Sequence, residues 1–407
     1  MEYNKKSPDP APTQANLLSW APDLAVYRAR RAQRLRAGGL QTCLPEAMPK
    51  IAKTDMTWTG IQFPNAKQYI CSLGGFEVRE IEAALAHFKG LGLDGDKVNV
   101  DNFPLPNLQD RLRQMSHDVH FGKGFCVIRG LDATSYSAED NALLFLGISS
   151  YIGEKRGRQD NHGNMLVHIV EDKPKLPVDR SVPRFPRDSA EHLSYHTDQF
   201  CDVLAMQTRN CAAQGGSTVI ASVEKVYNEL AVTRPDLIHT LMRPDWPCDT
   251  EDIDDLRFCS NPRVVARPLL FHHDGRLMLN FSRGLFTNPE AIRPSLSEAQ
   301  LEALDAVHYS AKKHHLEILT QPGDIQFLNN LGVLHGRKAF VDDSRNSRHM
   351  VRLWLHNASL AWRLPSALES ARDRVYADNE EVKEVWELMP LPVPRPSYHY
   401  DKYAGSH

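Results

Sequence analysis

HLSYHTDQF, residues 192–200, and GDIQFLNNLGVLHGRKAF, residues 323–340, are the two stretches on which the reading of this chain turns. The first carries His196 and Asp198 one residue apart; the second carries His335. On a β-strand, residues i and i+2 project from the same face. The spacing therefore predicts that His196 and Asp198 reach one metal ion from a single strand. His335 closes the apolar run Leu331–His335 and would join them from a distant strand. Two imidazoles and one carboxylate form a set that holds one face of Fe(II) and leaves the other open. The chain has 18 histidines, so a chance His-x-Asp also fits, and spacing alone leaves both readings open.

The surrounding chain predicts many short strands. Phe125–Arg129, Met165–Val170, Val203–Met206, Thr218–Ala221, Ile325–Leu328 and Met350–Leu355 are apolar runs of strand length bounded by turn residues. Val264–Phe271 and Leu277–Phe281 flank Asp274-Gly275, a hairpin signal. Helices are expected over 16–36, with a basic face of Arg28, Arg30, Arg31, Arg34 and Arg36, and over Glu80–Lys89 and Leu108–His120. Further helices are expected after the capping residues Ser137, Ser222 and Ser297, and over Glu380–Leu388. The basic face reads either as a solvated surface or as a contact to a partner or second subunit. Trp58 and Phe63 are candidate core anchors. Residues 1–15 read as a polar arm, and the proline-rich segment 171–189 as a surface loop over the site. The pattern points to a β-sandwich or barrel core wrapped by helices.

Composition excludes several classes. A net charge of −3 and a pI near 6.7 argue against a general nucleic-acid binder. No apolar run approaches the roughly 18 residues that span a membrane. The seven cysteines form no CxxC pair and read as reduced thiols, which makes a cytoplasmic protein the expectation. The arginines of Tyr27–Arg36 have the composition of a mitochondrial presequence, but they start late and follow Asp9 and Asp23. Gly90-Leu91-Gly92-Leu93-Asp94-Gly95 matches GxGxxG, yet it follows a helix rather than a strand, so Gly90 reads as a helix cap and not a dinucleotide site. There is no HExxH of a zinc protease. His162, His168, His192, His272-His273 and His314-His315 compete as ligands, but read better as structural groups.

Four blocks occur in a recognisable order: HTD at 196–198, GGST at 215–218, GDIQFLNNLGVLHGR at 323–337 and SRHMVRLWL at 347–355. Together they resemble the Fe(II)/2-oxoglutarate dioxygenases of the taurine dioxygenase (TauD/TfdA) family, and more closely its clavaminate-synthase-like branch, which has fungal members. The likeness covers about 115–357. It implies an α+β chain with a double-stranded β-helix (jelly-roll) core at 116–360. Residues 1–115 would be an arm and helical extension packed on that core, and 361–407 a C-terminal extension.

The resemblance also implies roles. His196, Asp198 and His335 would hold Fe(II). Thr218 and Arg348 would hold the co-substrate 2-oxoglutarate, because a guanidinium fork matches a carboxylate. Arg352, four residues on, would contact an anionic group of the substrate, with Arg283 as a second candidate. The separation of 13 between His335 and Arg348 is two longer than in taurine dioxygenase itself, which keeps Arg337 and Arg345 as alternatives for the co-substrate. The implied reaction consumes O2, releases succinate and CO2, and oxidises an unactivated C–H bond of a small carboxylate-bearing molecule by hydroxylation, desaturation or ring closure. Asp198 argues against halogenation, which needs that position vacated. The competing readings are a non-catalytic binding protein on the same fold, against which the intact ligand set with Thr218 and Arg348 argues, and a zinc hydrolase, which leaves Thr218 and Arg348 without a purpose. A homo-oligomer stays open.

Overall fold

The computed structural model describes residues 19–160, 163–171, 186–250, 264–287, 295–377 and 383–390. The polar arm, His162, Cys259, residues 172–185 of the expected loop and the start of the expected helix at 380 lie outside the described residues.

Two sheets form the core. The large sheet contains β1 (Ile70–Ser72), β2 (Phe125–Arg129), β3 (Lys155–Gly157), β4 (Val167–Val170), β6 (Val203–Asn210), β11 (Ile325–Asn329) and β13 (His349–His356). Its order is β1-β2-β11-β6-β13-β3, with β4 also paired to β13. The small sheet contains β5 (Leu193–His196), β7 (Thr218–Ser222), β10 (Leu316–Ile318) and β12 (Val333–Arg337), in the order β10-β7-β12-β5. A separate hairpin joins β8 (Leu270–His273) to β9 (Arg276–Leu279). Its turn places Asp274 at φ 48° and Gly275 at φ 71°, as the Asp-Gly pair predicts for a two-residue turn.

Period-two alternation decides which face each strand shows. Phe125, Val127, Leu204, Met206, Leu328, Met350 and Trp354 of the large sheet share one apolar cluster with Ile220, Val333, Leu316 and Ile318 of the small sheet. Their neighbours Cys126, Ile128, Val203, Ala205, Phe327, Val351 and Leu353 pack outward. Helices α2 (Gly75–Gly90), α3 (Gln109–Phe121) and α4 (Ala138–Ser149) cover them. On the far side, Val219, Ala221 and Leu334 pack outward against α5 (Val223–Thr233), α6 (Pro235–Met242) and α7 (Glu298–His314). Each buried large side chain stabilises by about 1.5–3 kcal/mol, and a one-residue slip would turn a whole strand inside out. Two facing sheets with helices outside are the expected double-stranded β-helix in an α+β chain.

The expected helix caps form: Ser137, Ser222 and Ser297 accept hydrogen bonds from the backbone N–H groups of Asp140, Lys225 and Gln300. Other expectations need correction. The run 264–271 is two strands, 264–267 and β8. Gly90 is the last residue of α2, and Gly92, at φ 66°, is the left-handed glycine beyond it. Residues 383–390 are not helical; Val385 bridges Asn164 as extended chain. Helix α8 (Ser366–Tyr376) went unpredicted.

The basic face expected near the N-terminus belongs to α1 (Leu24–Ala37). Arg30 pairs with Glu298 and Asp305, and Arg34 with Glu302 and Asp236. Arg28, Arg31 and Arg36 stay exposed. Two of the five arginines thus meet an acidic face of the same chain, and three face solvent.

Burial pushes the imidazoles of His308 and His349 down to about 3 each. An unfolded chain takes up protons at these positions near pH 6.5, whereas the folded chain resists until about 3. Stability is therefore full above about pH 6.5 and is lost as pH falls through that window, by about 1.4 kcal/mol per pH unit for each imidazole. Thermal melts of metal-free protein from about pH 7 to 4 are expected to fall steadily in Tm. His308→Phe should flatten the slope; an unchanged slope would contradict the assignment.

Candidate active site

The site lies between the sheets. β5 ends at His196, and β12 pairs with it so that His335 faces His196 directly. Cross-strand partners project from the same face, and the two imidazole rings sit 4.1 Å apart between centroids. Asp198 is not on the strand, contrary to the spacing argument. The chain leaves β5 at Thr197, whose N–H donates to Phe281 O (2.7 Å) and whose hydroxyl donates to Leu279 O (3.1 Å). The amide of Asn330 then grips the turn: Oδ1 accepts from Asp198 N (2.8 Å), and Nδ2 donates to Asp198 O (2.6 Å) and Cys201 O (2.8 Å). His335 stands in the middle of its strand, not at the end.

This turn aims Asp198 Oδ1 at both imidazoles, 3.8 Å from His196 Nε2 and 3.7 Å from His335 Nε2. All three side chains are buried, and among the described residues they are the one His/Cys/Asp/Glu group placed to hold a metal. His196 Nδ1 bonds Ser194 O at 2.8 Å, which directs Nε2 inward. Burial lowers the pKa of His196 and takes that of His335 well below the usual value, keeping both in the neutral form a metal requires. Asp198 Oδ1 has no hydrogen-bond partner. An orphaned buried carboxylate oxygen beside two neutral imidazoles fits a divalent cation in a two-His, one-carboxylate site.

Beside these groups is a small cavity of about 40 Å³, whose lining includes Thr218, Arg187, Arg337, Arg348 and Arg352. Arg348 precedes β13, and its Nε donates to Gly216 O at 3.1 Å. The Gly-Gly turn makes this approach possible: Gly215 and Gly216 have φ of +73° and +75°, and a Cβ on Gly216 would lie 2.9 Å from Arg348 Cδ. Arg348 Nη1 has no partner, and no acidic side chain among the described residues forms an ion pair with this guanidinium. Burial, aided by the charge of Arg337, pushes it down to about 9. A buried cation short of an anion fits the carboxylate of 2-oxoglutarate.

Arg352 sits two residues beyond Met350 on the same face of β13. It is largely engaged, with Nη1 3.0 Å from Asp198 Oδ2 and Nε donating to Gln159 Oε1 at 2.6 Å. Nη2 remains without a partner. Arg283 is elsewhere and does not line this cavity: it donates to Asp305 (2.6 Å) and to Ser19 O (2.7 Å) in the acidic cluster under α1. The substrate reading of Arg283 is corrected to a scaffold ion pair. Arg337 is also committed, donating to the carbonyls of Arg187, Ser189 and Glu191, while Arg345 is exposed on a loop. His168 bonds His349, His192 meets His308 edge to face and His314 pairs with Glu229. Asn330, Gln159, Trp354 and Arg187 were missed. Asn330 and Trp354 lie inside the quoted motif blocks, whereas Gln159 carried no signal at all.

The family model "Taurine catabolism dioxygenase TauD, TfdA family" matches residues 87–354. The chain belongs to the TauD, TfdA family. It is a 2-oxoglutarate-dependent non-haem iron dioxygenase, and the residues present fit both iron and 2-oxoglutarate. A taurine hydroxylase-like protein, SAT17 of Stachybotrys chartarum, is 36% identical over 352 residues, covering 83% of this chain and 88% of that protein. Two solved structures share the fold of this TauD-family chain. Asparagine oxygenase in complex with Fe(II), 2S,3S-3-hydroxyasparagine and succinate has a TM-score of 0.54 at 16% identity, over 70% of this chain and 93% of that one. The non-haem iron oxygenase OrfP with Fe, succinate and (3S)-hydroxy-L-Arg has a TM-score of 0.51 at 17% identity, over 73% and 98%. Among the described residues of this family member, no helix is long and apolar enough to cross a membrane.

Proposed function

We propose that this TauD-family enzyme hydroxylates an unactivated C–H bond of a small amino-acid-like or other carboxylate-bearing molecule, an intermediate of secondary metabolism being one such class. His196, Asp198 and His335 hold Fe(II), while Thr218 and Arg348 hold 2-oxoglutarate. The carrying observation is that Arg348, buried and without an acidic partner, shares one cavity with His196 and His335. When bound, iron would activate O2 for C–H cleavage, with 2-oxoglutarate giving up two electrons as it becomes succinate and CO2.

The chain's own residues perform the rest. Arg348 draws in the co-substrate carboxylate and regains an ion pair. Arg352 Nη2, the remaining free donor on that guanidinium, offers one bond to an anionic substrate group. Ile169, Leu193, Met206 and Met350 line the apolar part of the cavity and exclude water from the reacting carbon. The substrate class draws support from relatives: one is named taurine hydroxylase-like, and two of like fold were solved with hydroxylated asparagine or arginine. Desaturation or ring closure would use the same residues. Six cysteines among the described residues are unpaired, which supports a reducing, cytoplasmic setting.

Succinate release tests the substrate class. Iron-loaded enzyme is incubated with 2-oxoglutarate and panels of amino acids, other carboxylic acids, sulfonic acids and neutral analogues. Turnover confined to anionic or zwitterionic compounds is expected, with a product heavier by one oxygen atom. Turnover confined to neutral analogues would refute the class, and a product two hydrogens lighter would refute hydroxylation.

A further inference from the structure

The two oxygens of Asp198 are both buried but are not equivalent. Oδ2 accepts the indole N–H of Trp354 at 2.7 Å and lies 3.0 Å from Arg352 Nη1. Oδ1 receives no hydrogen bond and points at both imidazoles. Oδ2 is thus held twice, by a hydrogen bond from a neutral indole and by the charge of a guanidinium. Turning Oδ2 toward a metal would strip a buried guanidinium of the one carboxylate it pairs with among the described residues.

Arg352 is itself held from behind. Its Nε donates to Gln159 Oε1 at 2.6 Å. Gln159 Nε2 donates to Met165 O at 2.8 Å and to Arg352 O at 3.0 Å. Both ends of this buried amide are therefore committed, and its orientation is fixed. Trp354 is fully buried on the same strand face as Arg352 and lies beneath its guanidinium, 5.3 Å from ring centroid to Cζ. Neither Gln159 nor Trp354 lines the cavity, so neither is placed to touch substrate.

We infer that Trp354 and the Gln159–Arg352 pair are positioning residues that restrict Asp198 to ligation through Oδ1 alone. The inference rests on His196, Asp198 and His335 being the metal ligands. Ligation through both carboxylate oxygens would occupy a position the co-substrate needs. The network therefore governs how well the metal-loaded enzyme accepts 2-oxoglutarate, although none of its members but Arg352 reaches the cavity.

Trp354→Phe keeps an aromatic ring and deletes the N–H donor. Gln159→Leu keeps bulk and deletes the acceptor for Arg352, whereas Gln159→Glu retains an acceptor. Each purified enzyme is checked for fold by circular dichroism and for Fe(II) affinity by anaerobic titration. It is then titrated anaerobically with 2-oxoglutarate, following the visible band of the iron chelate. Trp354→Phe and Gln159→Leu are expected to fold and to bind Fe(II), yet to need about tenfold or more 2-oxoglutarate for the half-maximal band. Gln159→Glu is expected to lie nearer the wild type. Titrations like the wild type in both deleting variants overturn the inference, and so does loss of fold in both, which would make the network merely structural. Absence of the band in the wild-type enzyme strikes instead at the ligand assignment beneath it.

Discussion

His335→Ala is expected to abolish turnover and the visible Fe(II)–2-oxoglutarate band together, and His196→Ala to do the same. Each removes one of two buried, neutral imidazoles that face one another across paired strands. Two protein ligands then remain, one of them the carboxylate that already serves Trp354 and Arg352 through Oδ2. Loss of an outer-shell partner costs roughly 10–100-fold in metal affinity or activity, and loss of a ligand should exceed that. Fe(II) at about 100 times its Kd should raise wild-type stability by about 2.7 kcal/mol by mass action, a gain the variants should lack. His273→Ala, exposed beside the hairpin turn, supplies the control and should leave both readouts unchanged. A His335→Ala enzyme that kept the band would remove His335 from the site.

Arg348→Ala is expected to raise the 2-oxoglutarate requirement far more than it weakens iron binding. The guanidinium has its Nε on Gly216 O, one amino group on Met350 Sδ and the other free. A bound carboxylate would be its first ionic partner. Truncating one member of a buried charge pair costs about 2–5 kcal/mol, which is roughly 30-fold to several thousand-fold in Kd. Arg348→Lys should recover only part of this, because an ammonium cannot form the two parallel bonds of a guanidinium. Gly216→Ala should mimic the defect more mildly, since its Cβ would push on Arg348 Cδ from 2.9 Å and the backbone there has φ +75°. Arg337→Ala should act differently, loosening residues 187–191 through their carbonyls. If Arg337→Ala were the variant that lost 2-oxoglutarate, the co-substrate assignment would pass from Arg348 to Arg337.

Much of the fold was legible because a short apolar run bounded by turn residues is a local signal. Phe125 to Ile128 and Leu204 to Met206 are such runs, and the structure sends their successive side chains to two different apolar clusters. Helix caps were equally local: Ser137, Ser222 and Ser297 each meet a backbone N–H three residues on. The expected helix at 380–388 failed over 383–388 because pairing of Val385 with Asn164 overrides its local pattern. The basic helix was found, but its partner was not, since the acidic residues it meets lie more than 200 positions away.

The sequence by itself determined the family, the residue types able to hold a metal and an arginine able to hold a carboxylate. These follow from short motifs whose chemistry does not depend on where the chain goes next. Only the tertiary structure decided how they are used. It moved Asp198 off the strand, through one hydrogen bond accepted and one donated by Asn330, 132 residues away. It gave Arg283 to Asp305 rather than to a substrate. It set Arg352 against the Asp198 carboxylate, with Gln159 behind it at a separation of 193 residues. The reason is physical: a buried charge must find its partners in space, and which partners lie within 3 Å is fixed by the packing of two sheets, not by spacing along the chain.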